Sequence, residues 1–230
     1  MDYDKRLGDF SNTNIGYQTN FNKEEICRKY ILSRNGNNKQ NFLDVGGNDG
    51  LLGYMLGVES NLKYNDALYS KSKTTFDSIY TYYGVDLAES NAKNILIGDI
   101  CDDAYLDSRN EFINFFDVIY SNNVFEHLEK PWIAAENISR MLKTGGLAVM
   151  VVPFSQRYHE VPGDYFRYTH KGLASLFLNS ASYKIIECGY DILGRRNNWQ
   201  GAGNNNDIVP LDKYGAWRET WFTVLIIEKV

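Results

Sequence analysis

Short apolar segments alternate with segments of helical periodicity along the first two thirds of the chain. The apolar segments end at acidic, glycine or asparagine residues, which is typical of buried parallel strands. Strands are predicted over 42–45, 79–85, 94–97, 116–120 and 147–152. Two later apolar segments, 183–188 and 222–228, have no evident helix between them and are expected to form an antiparallel edge. The alternation predicts an α/β domain with a mostly parallel sheet and right-handed crossovers.

Apolar residues at helical spacing mark the connections between these strands. Helices are predicted over 23–33, 51–57, part of 103–114, 131–144 and 171–178. Asn22 is a suitable N-cap for the first of them, and Pro131 is suited to the first turn of the fourth. We expect Gly145-Gly146 to end that fourth helix.

Three segments lack this periodicity. Residues 1–22 are expected to be an irregular N-terminal arm, and 58–78 and 194–218 to be insertions or loops near the site. The length and the 43% hydrophobic content fit one domain over residues 1–230.

Charge and cysteine content narrow the class of protein. The net charge of −5 argues against a nucleic-acid partner, which usually calls for a basic face. Cys27, Cys101 and Cys188 are far apart and form no CxxC pair, so neither a zinc site nor a disulfide framework is indicated. The N-terminus lacks the apolar core of a signal peptide, and no apolar run is long enough to span a bilayer. We therefore expect a cytoplasmic protein.

A glycine-rich turn joins the first predicted strand to the helix after it, over Asp44-Val45-Gly46-Gly47-Asn48-Asp49-Gly50. Glycines allow a ligand to approach the backbone, and the helix N-terminus offers free N–H groups. A dinucleotide site would need glycines at 48 and 51, where Asn48 and Leu51 stand. This spacing makes a nicotinamide dehydrogenase a distant alternative.

Leu43-Asp44-Val45-Gly46-Gly47-Asn48-Asp49-Gly50 resembles the first motif of class I S-adenosylmethionine (SAM)-dependent methyltransferases, with Asn48 in place of its middle glycine. Later segments resemble further motifs of this family in the same order. They are Tyr83-Gly84-Val85-Asp86-Leu87, Ile97-Gly98-Asp99-Ile100, the stretch 116–128 and Lys143-Thr144-Gly145-Gly146-Leu147. The resemblance covers residues 41–178, and each motif follows a predicted strand or precedes one.

The resemblance implies a Rossmann-like methyltransferase fold: a mostly parallel seven-stranded sheet with an antiparallel last strand and helices on both faces. It implies SAM as cofactor and S-adenosylhomocysteine (SAH) as product. Asp86 would accept from the ribose hydroxyls and Asp99 from the adenine amino group, with Ile100 packed on the ring. The full implied cofactor set is Asp44, Gly46, Gly47, Asn48, Gly50, Asp86, Leu87, Asp99, Ile100, Asn122 and Asn123.

Two stretches of the sequence bear on the chemical class of the methyl acceptor. Residues 121–124 lack the Pro-Pro-aromatic motif of many amide and base N-methyltransferases. The stretch 152–169 resembles methyltransferases of cell-surface polysaccharide and glycan synthesis, which implies a sugar hydroxyl or another small-molecule acceptor. Such a hydroxyl must lose a proton, and His159 is the first candidate base. His127 is the second candidate, and Asp164 would orient the base or the acceptor; all three also have ordinary structural interpretations.

Other hypotheses stay open. Glu126-His127 resembles part of a Glu-x-x-Glu-His cluster that holds a divalent cation in some O-methyltransferases, but Asn123 replaces its first acid. We therefore expect no metal, while a metal-assisted enzyme acting on a phenol or quinol remains an alternative. A non-catalytic SAM-binding module is another. The loop 195–201, with Trp217 and Trp221, could contact a carbohydrate.

Overall fold

The computed structural model describes residues 22–34, 36, 38–47, 50–60, 63–88, 94–156, 158–160, 162–178, 180–194 and 220–230, without the side chains of 192–194. Most of the predicted N-terminal arm and of the predicted loop 194–218 lies outside the described residues. Among the helices that are described, none is long and apolar enough to cross a membrane.

The described strands form one seven-stranded sheet in the order β3-β2-β1-β4-β5-β7-β6. Their bounds are β1 Gln40–Val45, β2 Tyr80–Asp86, β3 Ile95–Ile97, β4 Phe116–Asn122, β5 Leu142–Ser155, β6 Tyr183–Gly194 and β7 Thr220–Lys229. The pairs among β1 to β5 are parallel, whereas β7 pairs antiparallel with β5 and β6. The predicted fold class is confirmed, including the antiparallel last strand.

Helices lie around this sheet. Their bounds are α1 Lys23–Leu32, α2 Leu51–Gly57, α3 Asp66–Ile79, α4 Pro131–Met141 and α5 His170–Leu178, with short 3-10 helices at Asn110–Phe112 and Phe125–His127. The predicted Asn22 cap is present, since its side-chain oxygen accepts from the Glu25 N–H at 2.8 Å. Pro131 occupies the first turn of α4 as expected.

Two predictions about these connections were wrong. The segment 58–78 was expected to be irregular, but most of it is α3, which Asn65 caps by accepting from the Leu68 N–H at 2.9 Å. Its inward face carries only Ser72 and Phe76 as buried residues, so the apolar stripe is too sparse to detect. The fourth helix ends at Met141, before Gly145-Gly146, because Leu142 adopts an extended conformation.

The sheet separates two apolar cores. On one face, Leu43 and Ile119 pack with α4 and α5 residues such as Ile138 and Phe177. On the other face, Phe42 packs with residues of α1, α2 and α3 such as Ile31. Because neighbouring strand residues point to opposite faces, the almost continuous apolar strands serve both cores. This packing holds the carboxyl ends of β1, β2 and β4 rigidly at one edge.

Candidate active site

A pocket opens at the carboxyl ends of the parallel strands, where ligands of open α/β sheets bind. It is lined by the ends of β1 and β2, the segments after β3 and β4, and residues His127, Leu128 and Pro162. The predicted cofactor residues Gly46, Asp86, Leu87, Asp99, Ile100 and Asn123 all line it. Motifs that are far apart in the sequence therefore meet around one cavity.

The glycine turn packs so closely against its neighbours that two of its positions have no space for a side chain. Gly46 has a φ of +77°, and a Cβ there would lie 2.6 Å from Val124 Cγ2. A Cβ on Gly47 would lie 2.6 Å from the Tyr82 hydroxyl oxygen. Gly50, also at φ +77°, precedes α2 and has open space beside it. Asn48 lies outside the described residues.

Asp44 has a different position from the other predicted ligands. It is buried and does not line the pocket. Tyr82 Oη donates to Asp44 Oδ2 at 3.2 Å and lies 3.3 Å from the Gly47 carbonyl oxygen. In the described structure, Asp44 therefore supports the glycine turn through Tyr82, on the side away from the pocket.

The acidic residues after β2 and β3 face the pocket from its outer side. Asp86 is partly exposed, and its Oδ1 accepts from the Ala88 N–H at 3.1 Å. Asp99 is exposed, and its Oδ1 accepts from the Cys101 N–H at 2.8 Å. Leu87 is 63% exposed, an unusual environment for a leucine beside a cavity. These contacts fix the carboxylates while keeping them at the surface of the pocket.

The turn after β4 contributes two asparagines. Asn122 is buried at the end of the strand and does not line the pocket. Asn123 lines it, with a φ of +56°, a conformation that asparagine tolerates better than most residues. Its Oδ1 is buried and has no hydrogen-bond partner among the described residues. An unpaired acceptor at a pocket wall is suited to a ligand donor.

Beside this turn, Glu126, His127 and His159 form a cluster, which we call the histidine cluster. The two imidazole rings are 5.0 Å apart and nearly perpendicular. Glu126 Oε1 is 3.7 Å from His127 Nε2, and one ligand atom from each of the three residues lies within 4.8 Å of the others. His127 reaches the pocket, whereas His159 does not line it. The two candidate bases are therefore neighbours, with His127 nearer the cavity.

The loop after β5 is tied firmly to this cluster. Gly163 O is in close contact with His127 Nδ1, and the Tyr165 N–H donates to Glu126 O at 2.7 Å. Since a carbonyl only accepts, Nδ1 must carry the proton and Nε2 holds the lone pair of the neutral ring.

Asp164 anchors the other histidine from the same loop. The His159 backbone N–H donates to Asp164 Oδ2 at 2.7 Å, and His159 Nδ1 is 3.4 Å from that oxygen. Arg167 forms a bidentate pair with Asp164, whose side chain is almost fully buried. The predicted orienting role of Asp164 thus has a geometric basis.

Burial dominates the electrostatics of the cluster. It raises the pKa of the Glu126 carboxyl to about 8. It lowers the pKa of His127, an effect that the Gly163 carbonyl partly offsets. Burial opposes ionisation of Asp164 as well, but its hydrogen bonds from Arg167 and His159 prevail and lower its pKa. At neutral pH the His127 ring is therefore uncharged, and its Nε2 lone pair is available.

Some functional positions were not predicted from the sequence. Val124 lines the pocket and lies against Gly46, and Gly163 fixes the His127 tautomer, but neither has a side chain that signals chemistry. Of the predicted aromatic groups, Trp221 lies in β7 with its ring centroid 5.6 Å from that of Phe154. The loop 195–201 and Trp217 lie outside the described residues.

The geometry agrees with comparisons to known proteins. A family model described as a methyltransferase domain matches residues 18–208, and the chain belongs to this family. No protein with a curated description matches the sequence. The family match confirms the prediction of a methyltransferase; it does not extend to a glycan acceptor.

Several solved structures share the fold. A Bacillus halodurans C-125 protein assigned as a methyltransferase is 10% identical (TM-score 0.55; 88% of this chain and 96% of that chain covered). A SAM-dependent methyltransferase from Archaeoglobus fulgidus is 13% identical (0.51; 90% and 96%). The Burkholderia thailandensis 1,6-didemethyltoxoflavin-N1-methyltransferase, solved with its substrate and S-adenosylhomocysteine, is 14% identical (0.50; 90% and 78%). At these identities the similarity concerns the fold.

Proposed function

We propose that this protein is a SAM-dependent O-methyltransferase that acts on a hydroxyl group of a sugar or glycan. The observation that carries the proposal is the position of His127. It reaches the same pocket as the cofactor motifs, and its tautomer leaves Nε2 as a proton acceptor. A hydroxyl acceptor must lose its proton as the methyl group is transferred, and a positioned imidazole can take that proton.

The residues of the pocket fit SAM. Gly46 lines the pocket and has no side chain, so the methionine part of SAM could approach its backbone closely. Asp86 and Asp99 offer carboxylate oxygens for the ribose hydroxyls and the adenine amino group. Asn123 Oδ1, without a partner in the described part of the chain, offers a further acceptor. When bound, SAM supplies a methyl group on a positively charged sulfur, which makes that carbon electrophilic.

The chain contributes position and proton transfer. A pocket at the rigid edge of the sheet can hold the acceptor oxygen in line with the methyl group, and such positioning lowers the barrier of displacement reactions. His127 Nε2 would take the hydroxyl proton, while the Gly163 carbonyl holds the ring. His159, held by Asp164, lies against that ring and would keep it in place or share the base role.

A polar depression next to the cofactor pocket supports a hydroxylated acceptor. It shares Leu87, Asp99, His127, Leu128 and Pro162 with that pocket. Its other walls include Glu129, Lys130 and Tyr165, whose ring is half exposed. Charged groups beside an exposed aromatic ring suit sugars, which present hydroxyls at their edges and C–H groups on their faces.

Methyl transfer from labelled SAM to a panel of acceptors tests the function. The panel contains sugars, nucleotide sugars, short glycans, phenols and amines. We expect label in sugar or glycan hydroxyls, and His127→Ala should lower turnover about 100-fold or more without loss of SAM affinity. His170→Ala is the matched control, since the His170 ring is bonded to Tyr190 Oη at 2.7 Å and lies outside the cluster. SAM binding with no transfer to any hydroxyl would refute the proposal.

A second variant tests the cofactor site itself. Asp86→Ala should weaken SAM binding by about 1–3 kcal/mol, because the ribose hydroxyls lose their acceptor. Asp107→Ala, an exposed acid away from the pocket, is the control. Isothermal titration calorimetry measures both, and equal affinity of the two variants would contradict the assigned cofactor position.

The protein is also expected to work in the cytoplasm. Its three cysteines are buried and free, as is usual in a reducing compartment.

A further inference from the structure

The carboxylate of Glu126 has no explanation in the proposed proton transfer. Its side chain is fully buried, and neither oxygen has a hydrogen-bond partner among the described residues. The neighbouring His127 Nε2, at 3.7 Å, is beyond hydrogen-bond distance. Burial of an unpaired carboxylate is costly, so native proteins pair such groups or place them on a metal ion.

The surroundings of Glu126 match a metal site in ligand type. One oxygen and two imidazole nitrogens lie within 4.8 Å of one another, close to the spacing of ligands around a single ion. Imidazole and carboxylate together suit first-row transition ions, whereas Mg²⁺ and Ca²⁺ prefer oxygen ligands alone. The three residues come from two separate loops, the turn after β4 and the loop after β5.

Both histidines also have the outer contacts that metal ligands usually have. A ligating imidazole generally bonds through its other nitrogen to a carbonyl or carboxylate, which fixes its orientation. His127 Nδ1 contacts the Gly163 carbonyl, and His159 is held by Asp164, itself paired with Arg167. Glu126 has no such contact, since neither of its carboxyl oxygens has a hydrogen-bond partner among the described residues.

We propose that Glu126, His127 and His159 bind one divalent transition-metal ion, of the Mn²⁺ or Zn²⁺ class, beside the cofactor pocket. Binding of the ion stands on the cluster alone. Its part in catalysis rests on the proposed transfer of a methyl group to a hydroxyl, in which the ion would replace the His127 imidazole as the group that activates the oxygen. Because three protein ligands leave coordination positions open, the acceptor hydroxyl can bind the ion next to the methyl donor.

This site changes how the hydroxyl is activated. The ion occupies the histidine lone pairs, so the metal-bound hydroxyl loses its proton to water and not to an imidazole. The resulting oxygen forms a bond to the methyl carbon as the carbon–sulfur bond breaks, and that electron pair stays on sulfur. The balance is an alcohol plus SAM giving a methyl ether, S-adenosylhomocysteine and one proton.

Metal titration of the tag-free, EDTA-treated full chain tests the site without cofactor or acceptor. Calorimetry with MnCl₂ and ZnCl₂ should show one ion per chain. Glu126→Gln and His159→Ala should each weaken binding about tenfold or more. His170→Ala, which removes the chain's remaining histidine, should bind like the wild type. Circular dichroism checks each fold, and His159 is in a loop with its side chain 24% exposed, so its truncation is not expected to unfold the protein.

The outcomes separate the two proposals. No binding by the wild type, or equal binding by Glu126→Gln, His159→Ala and His170→Ala, overturns the metal site and leaves the methyltransferase proposal in place. Binding that depends on Glu126 and His159 supports the site. If the metal-loaded protein then methylates no hydroxyl in the panel, the proposed function fails while the metal site stands.

Discussion

Two buried acidic sites in this protein are compensated in different ways. Near the start of α1, Glu24 and Asp191 are 2% and 5% exposed, and Lys23 joins them. The Lys23 ammonium pairs with Glu24 Oε1. The backbone N–H of Lys23 donates to Asp191 Oδ2 at 2.9 Å. In the histidine cluster, Glu126 is as deeply buried, but no cation of the described chain bonds to it.

The difference separates a structural site from a functional one. The α1 site carries its own cation, and the helix N-terminus adds favourable N–H groups to Asp191. Glu24 Oε2 has no hydrogen-bond partner in the described chain, yet its other oxygen is paired. Neither oxygen of Glu126 has a hydrogen-bond partner in the described chain, so this carboxyl group is the one that a bound cation would pair with. Four measurements test this contrast, in order of expected effect.

Removal of the internal cation should have the largest effect. Lys23→Met removes the ammonium that pairs with Glu24 and keeps the backbone N–H bond to Asp191. Two buried acids then share the site without a cation, which should lower the free energy of unfolding by about 3–5 kcal/mol. Lys29→Met, at an exposed position of the same helix, is the control and should change it by less than about 0.5 kcal/mol. Urea unfolding followed by circular dichroism measures both. If Lys23→Met changed the free energy of unfolding only slightly, the α1 site would not depend on its own cation, and the two acidic sites would not differ in this way.

An added cation should stabilise only the other site. At a Mn²⁺ concentration about 100 times the dissociation constant, the wild type should gain about 2.7 kcal/mol, and EDTA should reverse the gain. Thermal unfolding of the wild type and of Glu126→Gln, each with and without Mn²⁺, gives the comparison. Equal stabilisation of both proteins would place the ion elsewhere.

The α1 site should respond to pH in a defined direction. Burial raises the pKa of Asp191 to about 6, against the opposing effects of the Lys23 N–H and charge. Because the folded state binds this proton more tightly than the unfolded state, the contribution is present below pH 4 and is lost as pH rises through 6.

Asp191→Asn removes that dependence while keeping an acceptor oxygen. The stability difference between wild type and variant should favour the wild type by about 2 kcal/mol more at pH 4 than at pH 7. Denaturant unfolding at the two pH values measures it. A difference that does not vary with pH would show that Asp191 titrates normally, despite Glu24 and Glu25 beside it.

The smallest effect on stability is expected at Glu126, whose carboxyl group has no hydrogen-bond partner in the described chain. In the presence of EDTA, Glu126→Gln should leave stability unchanged or raise it by about 1 kcal/mol, because a neutral amide avoids the cost of either burying an unpaired carboxylate or protonating it. A loss above about 2 kcal/mol would mean that the carboxylate already has a partner, and the two acidic sites would then be alike.

Features that depend on residues close together in the chain can be predicted from the sequence. The strand before Gly46, the glycines Gly46 and Gly47 and the acid at the end of β2 belong to local patterns, and the structure has them where expected. The inward face of α3 is too weakly apolar to predict. The contact of His127 with Gly163 spans 36 residues, and that of Lys23 with Asp191 spans 168. Such pairs depend on how loops and strands meet, and no local periodicity encodes that.

The position of β7 has a consequence for the order of events during synthesis. This strand is translated after β5 and β6, yet it lies between them and pairs along most of the length of both. Until residues 220–229 are available to fold, β5 and β6 each have an unpaired edge, and the sheet lacks the strand that joins them. Open edges of apolar strands are sites of aggregation. Ribosome-bound chains that are halted before Thr220 should therefore bind chaperones. The chaperones should dissociate once β7 has formed.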